Sequence, residues 1–147
     1  MSVRIRRLEA RDKARWLELF QGYITFYEAT VPDDVVALTW ARLLDEAAEF
    51  PIALVAVDET DRPIGLAHIL FHRSTWSPTH YCYLEDLYVD PDCRARGVGR
   101  KLIEATYAEA DARGCTRTYW ATQEFNDRAR SLYDRLAEKS VFVQYRR

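Results

Sequence analysis

A chain of 147 residues, 48% hydrophobic and 30% charged, with five glycines and five prolines, fits one compact domain spanning residues 1–147. Its formal net charge of -2 argues against general nucleic-acid binding, which draws most of its affinity from neutralising phosphates, and leaves room for a small cationic ligand. No stretch is long and apolar enough to span a bilayer, residues 1–10 lack the apolar centre of a signal peptide, and Cys82, Cys93 and Cys115 show no C-x-x-C spacing, so they read as reduced thiols of a cytoplasmic protein.

Residues 3–8 open the chain as a short strand, Val3 and Ile5 alternating with Arg4 and Arg6. Asp12 can cap a helix whose apolar positions Trp16, Leu19, Phe20, Tyr23 and Tyr27 share one face. After Pro32, Asp33 or Asp34 starts a second helix bearing Val36, Trp40, Leu43, Leu44 and Ala47. Residues 52–57 are a continuous β-branched apolar run, the pattern of a buried strand. A polar turn at 58–63 leads to an antiparallel partner at 64–71, and a third strand covers 81–89 and halts at Asp90-Pro91. Residues 98–113 read as a helix with Val98, Leu102, Ile103, Thr106 and Ala110 inward and Gly114 as its stop. A strand at 117–122 follows. Then comes a helix capped by Asn126 and carrying Ala129, Leu132, Tyr133 and Leu136, and a last strand at 142–145. The order is β, α, α, three strands, α, β, α, β, an α/β chain with a mixed sheet and helices on its faces.

The sharpest local signal is Val89-Asp90-Pro91-Asp92-Cys93-Arg94-Ala95-Arg96-Gly97-Val98-Gly99. A strand ends, a turn carries basic residues and two glycines, and a long helix begins. Free N–H groups and the positive dipole end at a helix start make an anion site. Gly97 and Gly99 let the backbone approach a phosphate, and Arg94, Arg96 and Arg100 add charge. A Rossmann fingerprint needs a third glycine where Leu102 stands, and a P-loop needs G-K-[ST]; neither fits. A glycine-containing turn before a surface helix with solvated arginines is the bland alternative.

Arg94-x-x-Gly97-x-Gly99 in this context resembles the pyrophosphate-binding motif of the GNAT acetyltransferase superfamily, and the resemblance extends through residues 83–89 and 126–133. It implies a mostly antiparallel mixed sheet flanked by about four helices, with two central strands splayed so that the pantetheine arm of acetyl-CoA fills the gap. Leu87, Tyr88 and Val89 would border that arm. Arg94, Ala95, Arg96, Gly97, Val98, Gly99 and Arg100 would hold the pyrophosphate, and Asn126 and Ala129 would contact the cofactor, a role that leaves Asn126 free to serve as a plain N-cap as well. Tyr133 matches the tyrosine that protonates the departing thiolate, although on its own it reads slightly better as a core aromatic within the apolar stripe of its helix.

Adjacent carboxylates at Glu85 and Asp86 are awkward on an apolar strand unless they face different sides, one of them toward a cleft. An alkyl ammonium has a pKa of about 10 and loses a proton before attacking a thioester. Glu85 could accept that proton, as its match does in the polyamine-acetylating branch, and Asp86 could pair with a cationic substrate. Trp16, Tyr23 and the Phe26-Tyr27-Glu28 run, with residues 135–145, look like the branch that acetylates polyamines, histone tails or small amino compounds. Tyr23, Tyr27 and Glu28 then belong to the acceptor pocket. Relatives usually carry a glycine where Val141 stands, which puts the path of the last strand in question, including its exchange within a homodimer. The resulting expectation is direct attack of a primary amine on acetyl-CoA in a ternary complex. The alternative is a non-catalytic acyl-CoA-binding sensor. His68, His72 and His80 lack metal-ligand spacing and read as structural, and Trp120 as core or interface.

Overall fold

The computed structural model describes residues 2–94 and 96–147. Five strands, β1 (Arg4–Arg7), β2 (Ile52–Val57), β3 (Pro63–Arg73), β4 (His80–Val89) and β5 (Arg117–Tyr119), form one sheet in sequential order. The first four pair antiparallel, and β5 joins β4 in parallel after the crossover through α3. The helices are α1 (Lys13–Phe26), α2 (Asp33–Leu44), α3 (Val98–Ala112) and α4 (Asp127–Leu136), with single 3-10 turns at Ala10–Asp12 and Pro91–Cys93.

Every residue of β2 is buried, as its unbroken apolar run requires of a strand covered on both faces. One face sets Ala53, Val55, Val57 and Leu66 against Trp16, Leu19, Phe20 and Ile24 of α1 and Val36 and Leu43 of α2. The other sets Ile52, Leu54, Ala67, Ile69 and Leu84 against Val98, Leu102, Ile103 and Ala110 of α3, with Leu132 and Tyr133 of α4 at its margin. At Gly65 α3 presses on β3: a Cβ there would stand 2.9 Å from Val98 Cγ1.

Several expectations change. Asp12 does not cap α1 with its side chain. Its carboxylate accepts the Glu9 N–H and two bonds from the Arg6 guanidinium, tying β1 to the turn that enters α1. Helix α2 stops at Leu44, short of Ala47, and β5 stops at Tyr119, short of residue 122. The strand expected at 142–145 is not formed. Strand hydrogen bonds need a neighbouring edge, and residues 138–147 lie against none, leaving Val141, Phe142, Val143 and Tyr145 exposed.

Candidate active site

Two irregularities of β4 build the site. The first is a bulge: His68 pairs with Asp86 and Ile69 with Leu84, so Glu85 has no opposite residue in β3. An extra residue flips the alternation beyond it. Cys82 and Leu84 face the α3 side, and past the bulge Leu87 and Val89 do so as well, while Asp86 and Tyr88 turn toward α1. The carboxylates of Glu85 and Asp86 thus part company, as the sequence required.

The second irregularity is a separation. Strand β5 pairs with β4 at Tyr81, Cys82 and Tyr83, and from Leu84 onward no strand among the described residues lies beside that edge of β4. The Asp90 N–H donates to the Ile64 carbonyl on the β3 side. Strand alternation then turns the N–H and C=O groups of Leu87 and Val89 away from β3, into the gap.

Where the two irregularities meet lies a cleft lined by Tyr23 and Tyr27 of α1 and its end, Leu84, Glu85 and Leu87 of β4, Trp120 and Ala121 after β5, and Tyr133 of α4. Burial and the nearby Asp86 charge hold the Tyr23 phenol well above its ordinary range, and its hydroxyl donates to the Glu85 carbonyl at 3.5 Å, a group the bulge removes from the ladder. Partial burial and the Asp86 charge raise the Glu85 carboxyl, opposed by a hydrogen bond from Tyr83. Burial, with a smaller effect of Tyr27, pushes the Tyr133 hydroxyl up to about 12. The Tyr133 ring stands edge-on to Trp120 at 5.5 Å.

Asp86 lies beside the cleft, its Oδ2 taking a 2.8 Å hydrogen bond from His68 Nδ1. Glu28 lies just past α1 in left-handed backbone (φ 53°), exposed and outside the cleft lining. Trp120, which the sequence marks as core or interface, packs at the core margin and also forms a cleft wall. Its place depends on where β5 leaves β4, which no local signal marks.

Beyond β4, Asp90 accepts the Asp92 N–H and pairs with Arg15 of α1, holding the turn that enters α3. Gly97 stands at the start of α3 with φ 73°, and among the described residues no side chain caps the helix. A Cβ at Gly97 would meet nothing within 4 Å, and at Gly99 it would meet Leu132 at 3.4 Å. Arg94 stacks over the Tyr88 ring at 5.9 Å, Arg100 pairs with Glu104, Arg96 is exposed, and Val98 is buried against the sheet. Ala95 lies outside the described residues. Asn126 caps α4, accepting the Ala129 N–H and donating to Thr122. A helix start without a side-chain cap, beside a strand edge whose Leu87 and Val89 amide groups turn away from β3, fits a long phosphate-bearing cofactor such as acetyl-CoA. Among the described residues no cluster of three metal-ligating side chains occurs, and no helix is long and apolar enough to cross a membrane.

Comparison with known proteins agrees with this geometry. Residues 16–137 match the Acetyltransferase (GNAT) family. The chain is 38% identical over 143 residues to the D-amino-acid N-acetyltransferase HPA3 of Saccharomyces cerevisiae, covering 97% of this chain and 89% of that one. It is 35% identical to the thialysine N-epsilon-acetyltransferase of Bos taurus over 78 residues, 53% of this chain and 45% of the other. The structure of aminoglycoside N-acetyltransferase AAC(6')-Iy in complex with CoA superposes with a TM-score of 0.84 at 21% identity, covering 99% of this chain and 94% of that chain, a likeness of fold. A sheet that opens beside β4, an uncapped helix after it and a match over most of the sequence lead to one conclusion: this chain belongs to the GNAT acetyltransferase family, enzymes that pass an acetyl group from acetyl-CoA to an amine.

Proposed function

We propose that this chain, working as a single catalytic domain, acetylates the primary amine of a small cationic acceptor, of polyamine, amino-acid or lysine type, by direct attack in a ternary complex. The observation that carries the reading is the cleft that brings Glu85 and Tyr133 to one space beside the β4–β5 gap. Bound acetyl-CoA supplies an activated thioester. The backbone of Leu87 and Val89 offers hydrogen bonds along its arm, and the residues from Arg94 to Arg100 with the open start of α3 receive its phosphates.

Glu85 takes a proton from the acceptor ammonium, directly or through water. Its raised carboxyl suits that exchange better than an ordinary one, because a base works best near the operating pH. Tyr133 remains a phenol at neutral pH, since burial disfavours the phenolate, and holds its proton for the sulfur that leaves. The negative charge of the Glu85–Asp86 pair and the rings of Tyr23 and Tyr27 suit a cationic amine. The names of the relatives, acting on D-amino acids and thialysine, support small amino compounds. Three free thiols support a reducing, cytoplasmic setting. Four exposed apolar side chains between 141 and 145 support pairing of this segment in a homodimer.

Tyr133→Phe tests the assignment. Amine-dependent thiol release should fall about 10²-fold or more while acetyl-CoA affinity, measured by calorimetry, persists. Unchanged turnover would remove Tyr133 from the chemistry.

A further inference from the structure

The proposed reaction makes no use of His68, yet this imidazole is 3% exposed and bonded at both nitrogens. Trp16 Nε1 approaches His68 Nε2 at 3.0 Å, and His68 Nδ1 approaches Asp86 Oδ2 at 2.8 Å. An indole N–H only donates, so Nε2 must offer its lone pair and the ring proton sits on Nδ1, directed at the carboxylate. A doubly protonated ring would point an N–H at the indole N–H. Trp16 is itself 1% exposed, held at 5.2 Å from the Trp40 ring and 5.3 Å from Phe20, so it cannot turn aside at low cost. Phe20 also meets the imidazole edge-on at 5.0 Å.

We propose that Trp16 and His68 are positioning residues that lock the imidazole neutral, so that the His68–Asp86 pair keeps its negative charge and presents the Asp86 carboxylate to the cationic acceptor. This rests on the proposed function above and deepens it.

The consequence is electrostatic. With an imidazolium the pair would be neutral, and the acceptor would meet Glu85 alone. With the neutral ring, one net charge stays behind Glu85, and one Asp86 oxygen is fixed by His68. Among the described residues, Tyr23 of α1 and Tyr83 and Glu85 of β4 are the other titratable groups whose charge couples to the pair. β2 sets Ala53 opposite His68, and α2 adds Trp40 behind Trp16. The bulge at Glu85 is what brings Asp86 into register with His68 at all.

The test uses the whole chain in two measurements. Imidazole nitrogen NMR of the wild type should show His68 as the neutral Nδ1–H form throughout the pH range of activity; an imidazolium or an Nε2–H form overturns the lock. In kinetics, His68→Gln places an amide N–H toward Asp86 and an amide oxygen toward Trp16 and cannot be charged. It should keep the KM for a diamine within about threefold, whereas His68→Leu should raise that KM about tenfold or more with kcat much less affected. Acetyl-CoA affinity of both variants serves as the check on folding. Should His68→Leu prove unfolded, Trp16→Phe takes its place: the diamine KM should rise while a neutral-bodied monoamine is unaffected. Equal KM values for wild type and the Leu or Phe variant overturn the proposal. A wild type without preference for cationic amines overturns the acceptor class instead, and the nitrogen spectrum still decides the lock.

Discussion

Glu85 is the residue of β4 that β3 leaves without an opposite number, and its chemistry follows from that position. Its backbone carbonyl is taken by Tyr23, and its carboxyl, raised by partial burial and by Asp86, stands at the cleft. As the proposed base, Glu85 acts deprotonated. The acid limb of kcat/KM should therefore fall at a pH above the ordinary glutamate value of about 4.3, with activity rising as pH increases through it. Glu85→Gln should remove that limb and lower kcat/KM about 10²-fold or more. An identical limb in the Gln variant would assign it to another group. The same shift bears on stability with a defined sign: a carboxyl whose folded value is raised favours the folded state below its unfolded value, and that contribution is lost as pH rises through the folded one. The two adjacent acids were legible in the sequence as a pair that must face apart. The device that parts them was not, because a bulge is a property of register against a partner strand and leaves no mark in the string Tyr83-Leu84-Glu85-Asp86.

Among the elements, α3 carries the helix start proposed to receive the cofactor's phosphates. Gly97 adopts a conformation that costs a residue with a Cβ about 1 kcal/mol, and it leaves the first turn without a capping side chain. A methyl group there meets nothing, so Gly97→Ala isolates the backbone effect. The expected outcome is a fall in Tm of about 3 °C and several-fold weaker acetyl-CoA binding by calorimetry. Unaltered binding would mean that this turn does not receive the phosphates. Helices were readable because a 3.6-residue period survives in Val98, Leu102, Ile103, Thr106 and Ala110, all buried as the period demands. Strand ends were less so. Nothing in Trp120-Ala121-Thr122 marks the point where β5 leaves β4, since that point depends on the gap between two strands and not on either one. The tail Val141-Phe142-Val143-Gln144-Tyr145 has strand composition but forms none, because strand formation needs an edge as well as a propensity.

At the scale of the whole molecule, the sheet has one face closed by α1 and α2 and the other by α3, with α4 packed at its margin, and it opens where β5 departs from β4. In the proposed reaction, cofactor and acceptor meet at the cleft lined by Glu85 and Tyr133, as direct transfer requires. On the proposed reading Glu85 and Asp86 form the acceptor side, with His68 and Trp16 fixed behind Asp86, so that charge selects what enters. Thiol release from acetyl-CoA, measured against a graded panel of a polyamine, lysine, a D-amino acid and a neutral-bodied monoamine, tests this most directly. The account predicts turnover, fastest with the acceptors that carry a second cationic group. Tight acetyl-CoA binding with no thiol release for any amine, or turnover confined to the neutral-bodied amine, would contradict it.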